Sequence, residues 1–226
     1  MILRQLFDHE TYTYTYLIAD EKEREAIIID PVKEQLSRDL KLIEELGLTL
    51  RYAIDTHVHA DHITSAGDLR EATGCKTGVG IGGEVACADM ALKDGDEIKF
   101  GSHTLRVLAT PGHTNSCLSF YVGNVVFSGD SLFIRGTGRT DFQQGDAGRL
   151  YDSISKKLYA LPDETIVYPG HDYRGNTMST IGEEKQFNPR MQQSRERFIE
   201  MMAALNLPDP KKIMEAVPAN LACGQA

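Results

Sequence analysis

The first half of the chain contains apolar residues at two kinds of spacing, one typical of β-strands and one typical of α-helices. Residues 11–18 alternate threonine with tyrosine or apolar side chains, and residues 25–31 form a second apolar run after a charged turn, so both are predicted strands. Apolar residues then recur at helical spacing from Lys33 to Leu46, and Gly47 is typical of a helix end. Residues 48–54 form a third apolar, β-prone run. This third predicted strand leads directly into residues 55–64.

Glycines interrupt the pattern between residues 75 and 108. Four of the six residues from 78 to 83 are glycine, but the Gly-Lys-Ser/Thr ending and the G-x-G-x-x-G spacing of phosphate-binding loops are missing. A plain loop is therefore predicted there. Residues 93–108 are typical of a β-hairpin with turns at its glycines, and His103 at one of these turns is predicted to be a surface residue.

The second half continues with shorter elements. Strands are predicted at residues 117–123, 124–127 and 165–168, and helices at residues 147–161 and 191–205. Prolines at positions 208, 210 and 218 punctuate the closing segment. No linker, low-complexity tract or internal repeat separates these elements. We therefore predict a single domain over residues 1–226, with a helical C-terminal layer at about residues 189–226.

Charge and apolar content exclude several classes of partner. The 24 basic and 33 acidic residues give a net charge of −9, so no basic face is available to neutralise nucleic-acid phosphates or an anionic membrane. No apolar run approaches the length of a membrane-spanning helix. The N-terminal residues lack the apolar centre of a signal peptide. A cytoplasmic protein without nucleic-acid or membrane partners is predicted.

The four cysteines show no metal-binding or redox spacing. Cys75, Cys87, Cys117 and Cys223 contain no Cys-x-x-Cys pair and are sparse for a chain of 226 residues. We predict that all four are reduced and that most are small core residues.

Residues 55–64 concentrate three of the seven histidines. His57, His59 and His62 lie beside Asp55 and Asp61, between the third predicted strand and a short helix predicted over residues 64–72 and ending at Gly74. The strand period places the first two histidines on the same side, and Asp61 and His62 are predicted to begin the helix. Four nitrogen and oxygen donors within six residues suit a metal such as zinc or iron.

Three other predicted strands also end at a metal-competent side chain. His113 follows Thr110-Pro111-Gly112, Asp130 follows Ser128-Gly129, and His171 follows Pro169-Gly170. Side chains at the ends of several strands can converge on one edge of a sheet. The sequence therefore predicts a metal site that is assembled from several loops.

The order of these residues, each after a strand, resembles that of the metallo-β-lactamase superfamily. The resemblance covers about residues 10–175, and its most specific feature is the His-x-His-x-Asp-His motif at residues 57–62. It implies an α/β fold, an αββα sandwich with the metal site at one edge of the two sheets and a short helical C-terminal extension. It does not specify the reaction, because this fold supports several chemistries.

Two chemical interpretations of the site compete. In one, all seven residues bind two metals and a metal-activated water attacks a thioester, as in the glyoxalase II hydrolases, which the sequence also resembles. In the other, a single iron lies on two histidines and one carboxylate with open positions for oxygen and a sulfur substrate. The set of ligands is compatible with both interpretations. The full set is His57, His59, Asp61, His62, His113, Asp130 and His171.

The surrounding residues favour the second interpretation, because they resemble the persulfide (sulfur) dioxygenases. The similar segments are Asp130–Gly145, His171–Gly175, Thr180–Lys185, Asn188–Arg190 and Val217–Leu221. Few residues follow His171, which leaves little room for the helical glutathione-binding domain of glyoxalase II. The resemblance implies oxidation of glutathione persulfide by O2 to sulfite and glutathione, with one Fe²⁺ per chain on His57, His113 and Asp130.

The resemblance also assigns roles to the remaining residues. His59, Asp61, His62 and His171 become outer residues that orient the ligands, or positions for a second metal. Arg139 and Tyr173 become candidates for holding glutathione, although Arg139 could instead form a structural salt bridge with Asp141. A metal-stabilised binding module without catalytic activity is a third class that we consider. The oligomeric state is left open, a homodimer included.

Overall fold

Two six-stranded β-sheets face each other in the protein. The structure, a computed structural model, describes residues 1–208 and 212–225. The first sheet contains, in spatial order, β1 (Ile2–Asp8), β2 (Thr13–Ala19), β3 (Glu25–Ile29), β4 (Thr49–Ile54), β5 (Lys76–Gly80) and β6 (Met90–Leu92). The second contains β7 (Glu97–Phe100), β8 (His103–Ala109), β9 (Leu118–Val122), β10 (Val125–Gly129), β11 (Ile166–Pro169) and β12 (Ser179–Thr180), also in spatial order.

Helices cover the outer face of each sheet. The described helices are α1 (Leu36–Glu45), α2 (Ala66–Thr73), α3 (Ala147–Ser153), α4 (Ile181–Phe187), α5 (Arg195–Ala203) and α6 (Ile213–Leu221). Short 3-10 turns lie at Lys33–Gln35 and Ile81–Gly83, and α3 continues as a π-helical segment, Ile154–Leu158. Within the described ranges, no helix is both long and apolar enough to cross a bilayer. The cytoplasmic location and the homodimer stay predictions.

Three apolar layers hold the sandwich together. Aromatic and branched side chains such as Tyr16, Phe120 and Phe127 fill the space between the sheets. Ile43 and Leu69, from α1 and α2, pack on the outer face of the first sheet. The outer face of the second sheet is covered in the same way by α3, α4 and α5, with Leu150, Ile181 and Phe198 among the buried residues. The αββα architecture implied by the sequence is confirmed.

Strand direction brings the predicted site residues to one edge. β3 and β4 are parallel, so both end at the same edge of the first sheet. In the second sheet, β9 is antiparallel to β8 and β10, and β10 is parallel to β11, so β8, β10 and β11 also end together. The backbone N–H of Tyr14 donates to the carbonyl of Gly170 at 2.8 Å and joins the two sheets at this edge.

Several elements differ from the sequence prediction. The glycine-rich stretch is not a plain loop, because Gly78 and Gly80 belong to β5. A Cβ on Gly80 would lie 2.1 Å from the carbonyl oxygen of Ser116, so glycine here permits close backbone approach rather than a turn. The predicted 191–205 helix begins only at Arg195, because the Ser194 side chain caps it by accepting from the backbone N–H of Arg197.

Five of the described elements had no separate prediction. They are β1, β6, β12, α4 and α6, the last of which contains Pro218 in its interior. Their apolar periods are short or incomplete, and β1 and β6 are edge strands that depend on pairing with a neighbour. The predicted helical layer is present in α5 and α6, whereas Pro210 lies outside the described residues.

The prediction of four reduced cysteines is wrong for one pair. Cys87 and Cys223 form a disulfide bond across a sequence separation of 136 residues, while Cys75 and Cys117 are free and buried as predicted. Spacing rules find cysteines that are close in sequence. This bond arises because the turn after α6 packs on the loop after β5, which is a consequence of the tertiary structure.

Candidate metal centre

The histidine loop, residues 55–64, forms one side of the centre. β4 ends at Ile54 and α2 begins at Ala66, so the strand period does not govern the loop and Asp61 and His62 do not start the helix. The histidines nevertheless converge because the loop folds back on itself. The ring centroids of His57 and His59 are 4.1 Å apart, and those of His59 and His62 are 4.2 Å apart.

The second sheet supplies the other side. His113 follows β8, Asp130 follows β10 directly, and His171 follows β11. Asp130 lies between the two histidines, with Oδ2 3.6 Å from Nε2 of His113 and Oδ1 3.5 Å from Nε2 of His171. The rings of His57 and His113 meet edge to face at 4.9 Å, which joins the two sides. The structure therefore brings all seven predicted metal-site residues together.

The donor atoms fit a metal ion. One donor atom each from His57, His113 and Asp130 lies within 4.8 Å of the others, and His59, Asp61 and His62 form a second group of this kind. Among the described residues, Oδ1 of Asp130, Nδ1 of His59 and Nε2 of His62 are buried without a hydrogen-bond partner. Buried polar atoms are normally paired, so these atoms point to an ion that accepts their lone pairs.

His113 and His171 are oriented by backbone carbonyls. Nδ1 of His113 donates to the carbonyl of Arg139 at 2.7 Å, and Nδ1 of His171 donates to that of Tyr12 at 3.1 Å. A neutral ring that donates through Nδ1 keeps its lone pair on Nε2. In both residues Nε2 faces Asp130. Such hydrogen bonds fix the tautomer of metal-ligating histidines.

Burial keeps two rings of the histidine loop neutral. The burial of His57 and His59 lowers the pKa of each well below the usual value of an imidazole, and the adjacent histidine ring adds to the effect. Both rings are therefore in the neutral form at physiological pH. Neutral imidazole is the form that binds a metal.

The second donor group is electrostatically coupled. Burial would raise the pKa of Asp61, but His62 and His171 lower it well below its usual value. Burial would lower the pKa of His171, but Asp130 and Asp61 raise it, and Asp61 likewise raises the pKa of the buried His62. Asp61 is therefore a carboxylate at neutral pH and can serve as an anionic ligand.

Comparison with known proteins identifies the family. The model of the metallo-β-lactamase superfamily matches residues 10–171, which include all seven site residues. Human mitochondrial persulfide dioxygenase ETHE1 is 49% identical over 228 residues, which cover 99% of this chain and 89% of the human protein. This chain belongs to the ETHE1 family of the metallo-β-lactamase superfamily. The crystal structure of ETHE1 from Myxococcus xanthus, at 56% identity, superimposes with a TM-score of 0.97 and covers 99% of this chain and 100% of that one.

A more distant structure has the same fold. The di-iron-bound form of TTHA1623 is 29% identical and superimposes with a TM-score of 0.69, covering 82% of this chain and 98% of that one. The match shows that the chain shares its fold with a protein that has been crystallised with bound iron.

In this member of the ETHE1 family, the two predicted glutathione-binding residues differ in their surroundings. Arg139 forms the salt bridge with Asp141 that the sequence analysis considered, with two hydrogen bonds of 2.7 Å, and also donates to the carbonyl of Pro208. Tyr173 is 65% exposed, and its ring stacks on that of His171 with centroids 6.0 Å apart. Partial desolvation by the surrounding residues, together with Asp130 and Asp61, raises the pKa of the phenol, so it stays protonated. Tyr173 therefore offers a hydrogen-bond donor beside the metal centre.

Sequence reasoning missed a buried carboxylate behind the histidine loop. Asp30 follows β3 and accepts hydrogen bonds from the backbone N–H and side-chain hydroxyl of Thr56 at 2.6 and 2.9 Å. Its Oδ1 also lies 3.1 Å from Nε2 of His59. Asp30 could have been found from its position directly after an apolar strand, because His113, Asp130 and His171 also follow strands. Asp30 therefore orients the loop from behind the donor atoms.

Sequence reasoning also missed the role of Asn220. This residue of α6 hydrogen-bonds to the histidine loop backbone at three points. Asn220 is separated in sequence by 156 to 161 residues from the three loop residues that it contacts. Nothing in the local pattern around Asn220 indicates such a contact.

Proposed function

We propose that this protein is an iron-dependent persulfide dioxygenase that oxidises glutathione persulfide with O2 to sulfite and glutathione. The observation that carries the proposal is the group formed by His57, His113 and Asp130, in a chain 49% identical to human persulfide dioxygenase ETHE1. Two histidines and one carboxylate with open positions are typical of non-haem iron oxygenases. Persulfide, O2 and water balance with glutathione and sulfurous acid, which ionises to sulfite.

In this proposal, the three ligands hold one Fe²⁺ and the protein provides its orientation and surroundings. The iron supplies redox chemistry towards O2, which zinc in the same ligands lacks. His113 is held by the carbonyl of Arg139 and His57 contacts the hydroxyl of Thr56 at 3.0 Å, so both rings are fixed before the substrates arrive. Fixed ligands lower the reorganisation that the reaction requires.

We assign the substrate side of the site to Tyr173 and Arg139. Tyr173 is exposed, stacks on His171 and lies near the ring of Tyr12, with centroids 5.4 Å apart, so these aromatic rings form a wall beside the metal centre. The protonated phenol can donate a hydrogen bond to the persulfide end or to the peptide backbone of glutathione. Arg139, which Asp141 and the carbonyl of Pro208 hold in place, brings a positive charge for a glutathione carboxylate.

A dinuclear thioester hydrolase is the second candidate. It is favoured by one observation, the second donor group formed by His59, Asp61 and His62, with Asp130 between His113 and His171. A second metal held by that group would supply the metal-activated water that thioester hydrolysis requires. TTHA1623, a more distant neighbour, has been crystallised with two irons.

Substrate turnover separates the two candidates. Iron-loaded protein is assayed in an oxygen electrode with glutathione persulfide, and in parallel for hydrolysis of S-lactoylglutathione. We expect O2 uptake and sulfite formation in the first assay and background rates in the second. Iron-loaded protein that consumes no O2 with the persulfide, and hydrolyses the thioester, would overturn the proposal in favour of the hydrolase.

A further inference from the structure

The side chain of Asn220 is fully used in holding the histidine loop. Its Nδ2 donates to the carbonyls of His59 and His62, both at 2.9 Å, and its Oδ1 accepts from the backbone N–H of Thr64 at 2.8 Å. Asn220 is 4% exposed, so water does not compete for these hydrogen bonds. One amide group therefore satisfies three backbone groups in a loop that has no regular secondary structure of its own.

The segment that carries Asn220 is pressed against the same loop. A Cβ on Gly224 would lie 1.9 Å from the carbonyl oxygen of Thr64, so only glycine allows this approach. The backbone N–H of Gly67 donates to the carbonyl of Cys223 at 3.1 Å. The side chain of Lys33 also donates to the carbonyl of Gly224. The turn after α6 is thus packed on both ends of the segment from the histidine loop into α2.

The Cys87–Cys223 disulfide ties this turn covalently to the first sheet. Cys223 is three residues after Asn220, and Cys87 lies in the loop between β5 and β6. Cys223 also lines a small cavity together with His57 and His59, so one end of the bond is close to the histidine loop. A cross-link over 136 residues lowers the conformational entropy of the chain in any state in which the turn has detached. The attached state is therefore favoured.

We propose that Asn220 is the positioning residue of the histidine loop, and that the Cys87–Cys223 disulfide is a thiol-reducible lock that keeps it in place. When the turn detaches, the carbonyls of His59 and His62 lose their donors inside a buried region. Unpaired buried carbonyls are unfavourable, so the loop rearranges to find other partners and its metal donors lose their fixed positions. Residues that orient metal ligands in this way affect metal affinity without touching the metal.

Opening of the lock is a thiol–disulfide exchange. Cys223 is buried whereas Cys87 is half-exposed, so an external thiolate reaches the sulfur of Cys87 and releases the Cys223 thiolate. A second thiol then attacks the mixed disulfide and releases Cys87. Two low-molecular-weight thiols are oxidised to one disulfide, and the protein bond is reduced to two thiols. A reducing compartment provides such thiols, so the lock would report the local thiol concentration.

The role of Asn220 is tested by hydrogen exchange and iron affinity in the full chain. Asn220→Asp keeps the size and the acceptor for Thr64 but places an oxygen against the carbonyls of His59 and His62, and Asn220→Ala removes the whole group. In both variants we expect faster amide exchange over residues 57–64 in the metal-free protein. The iron dissociation constant, measured by competition with a ferrous chelator, is expected to rise by about 10–100-fold.

Asn188 provides a matched control. It is also a fully buried asparagine and donates to the carbonyl of Gly136 at 3.0 Å, so it holds a different loop. Asn188→Ala is expected to lower stability and to speed exchange around residue 136, with exchange over residues 57–64 unchanged. Normal exchange over residues 57–64 and normal iron affinity in folded Asn220→Asp would overturn the positioning role.

The lock is tested by comparing oxidised protein, protein reduced with tris(2-carboxyethyl)phosphine, and the variant Cys87→Ser. We expect reduction to speed exchange over residues 57–64 and to weaken iron binding to the level of Cys87→Ser, which itself does not respond to the reductant. In Asn220→Ala, reduction is expected to add nothing, because both changes act on the same contact. Identical exchange and iron affinity in oxidised and reduced protein would overturn the lock. An effect of reduction in Asn220→Ala as large as in the original protein would overturn it as well.

The inference rests on metal binding by the histidine loop, which is part of the proposed function, and not on the identity of the substrate. Exchange over residues 57–64 in metal-free protein is independent of turnover. A chain that hydrolyses thioesters instead of oxidising persulfides would therefore contradict the proposed function and leave this test intact.

Discussion

The two sheets build their halves of the metal centre in different ways. The first sheet contributes four donors from one irregular loop, His57 to His62, whereas the second contributes His113, Asp130 and His171 from the ends of three separate strands. The regular hydrogen-bonded backbone of the strands fixes the positions of the strand-end residues. A single backbone carbonyl then orients the ring of His113, and another orients that of His171. The loop residues depend on side chains that come from elsewhere in the chain, Asp30 and Asn220.

This difference indicates where the centre is rigid and where it can be adjusted. A strand end moves only with its sheet, so the second half is expected to be the fixed reference for the metal. The irregular loop can move when the groups behind it change. In the proposed enzyme, His113 and Asp130 therefore belong to the fixed half, and His57 is the one proposed iron ligand that the adjustable half supplies.

The largest expected effect separates a proposed ligand from an outer histidine. His113→Ala removes a ligand from the fixed half and is expected to reduce both bound iron and persulfide oxidation to background. His59→Ala removes an outer group from the adjustable half and is expected to retain iron with activity lowered by about 10–100-fold. Iron content and O2 uptake are measured on both variants. Equal loss in the two would show that His59 binds the metal directly and would contradict its outer role.

A buried carboxylate behind the second sheet tests how firmly the fixed half is held. Glu184 accepts from the backbone N–H of Arg135 at 2.9 Å and from Asn188 at 3.0 Å, and it also pairs with the guanidinium of Arg135. Glu184→Ala leaves this buried network incomplete and is expected to cost about 3 kcal/mol in the free energy of unfolding. Denaturant unfolding measures the loss.

Glu183 is the matched control for that variant. It pairs with the same arginine but is 40% exposed, so Glu183→Ala is expected to cost less than about 1 kcal/mol. Similar losses of unfolding free energy in the two variants would mean that the burial of Glu184 does not stabilise the second-sheet half of the centre.

Asp30 tests the support of the adjustable half. Asp30→Asn keeps the shape but replaces one oxygen that contacts Thr56 and His59 with an NH2 group, so iron affinity is expected to fall by about 10–100-fold. Asp20 is a suitable control because it follows the antiparallel neighbour β2 and lies at the opposite edge of the same sheet, where it accepts from Ser102 at 2.9 Å. Asp20→Asn is expected to leave iron affinity unchanged, and a comparable decrease there would contradict the role of Asp30.

The last comparison concerns a buried acid behind the first sheet, whose effect depends on pH. Asp39 accepts from Nε of Arg38 at 2.8 Å, and within the described residues its Oδ2 has no partner. Burial raises the pKa of Asp39 from 3.8 to about 6, so the folded protein binds this proton more tightly than the unfolded chain. The associated stability is complete below pH 3.8 and is lost as the pH rises through about 6.

The variant Asp39→Asn removes this dependence on pH. At pH 8 it is expected to be more stable than the original protein by up to about 3 kcal/mol, and near pH 4 about equally stable. Unfolding of metal-free protein at the two pH values measures the difference. A variant that is less stable at pH 8 would mean that the contact with Arg38 outweighs the burial of charge.

The seven residues of the centre were accessible from sequence because their signals are local, whereas the fold was implied by the resemblance to the superfamily. The histidine loop is a dense motif, and His113, Asp130 and His171 each follow an apolar strand. Asp30 carries the same signal, but a single aspartate before a proline is common at a strand end. Its importance depends on Thr56 and His59, which are distant in sequence.

Other features were inaccessible because they depend on contacts between distant segments. Gly80 was predicted to lie in a loop, since nothing nearby shows that the backbone of Ser116 would approach it. The disulfide joins Cys87 to a turn that only the packing of α6 brings near. Asn220 acts through the same packing. Local pattern therefore predicts the donors of the centre, and tertiary contacts determine what holds them.

The most direct test of the proposed mononuclear centre is metal analysis of anaerobically purified protein together with its variants. We predict about one iron per chain in the original protein, with His57→Ala, His113→Ala and Asp130→Ala each losing it and His62→Ala retaining it. Two metal ions per chain, with one of them lost in His62→Ala, would contradict the account and support the dinuclear hydrolase.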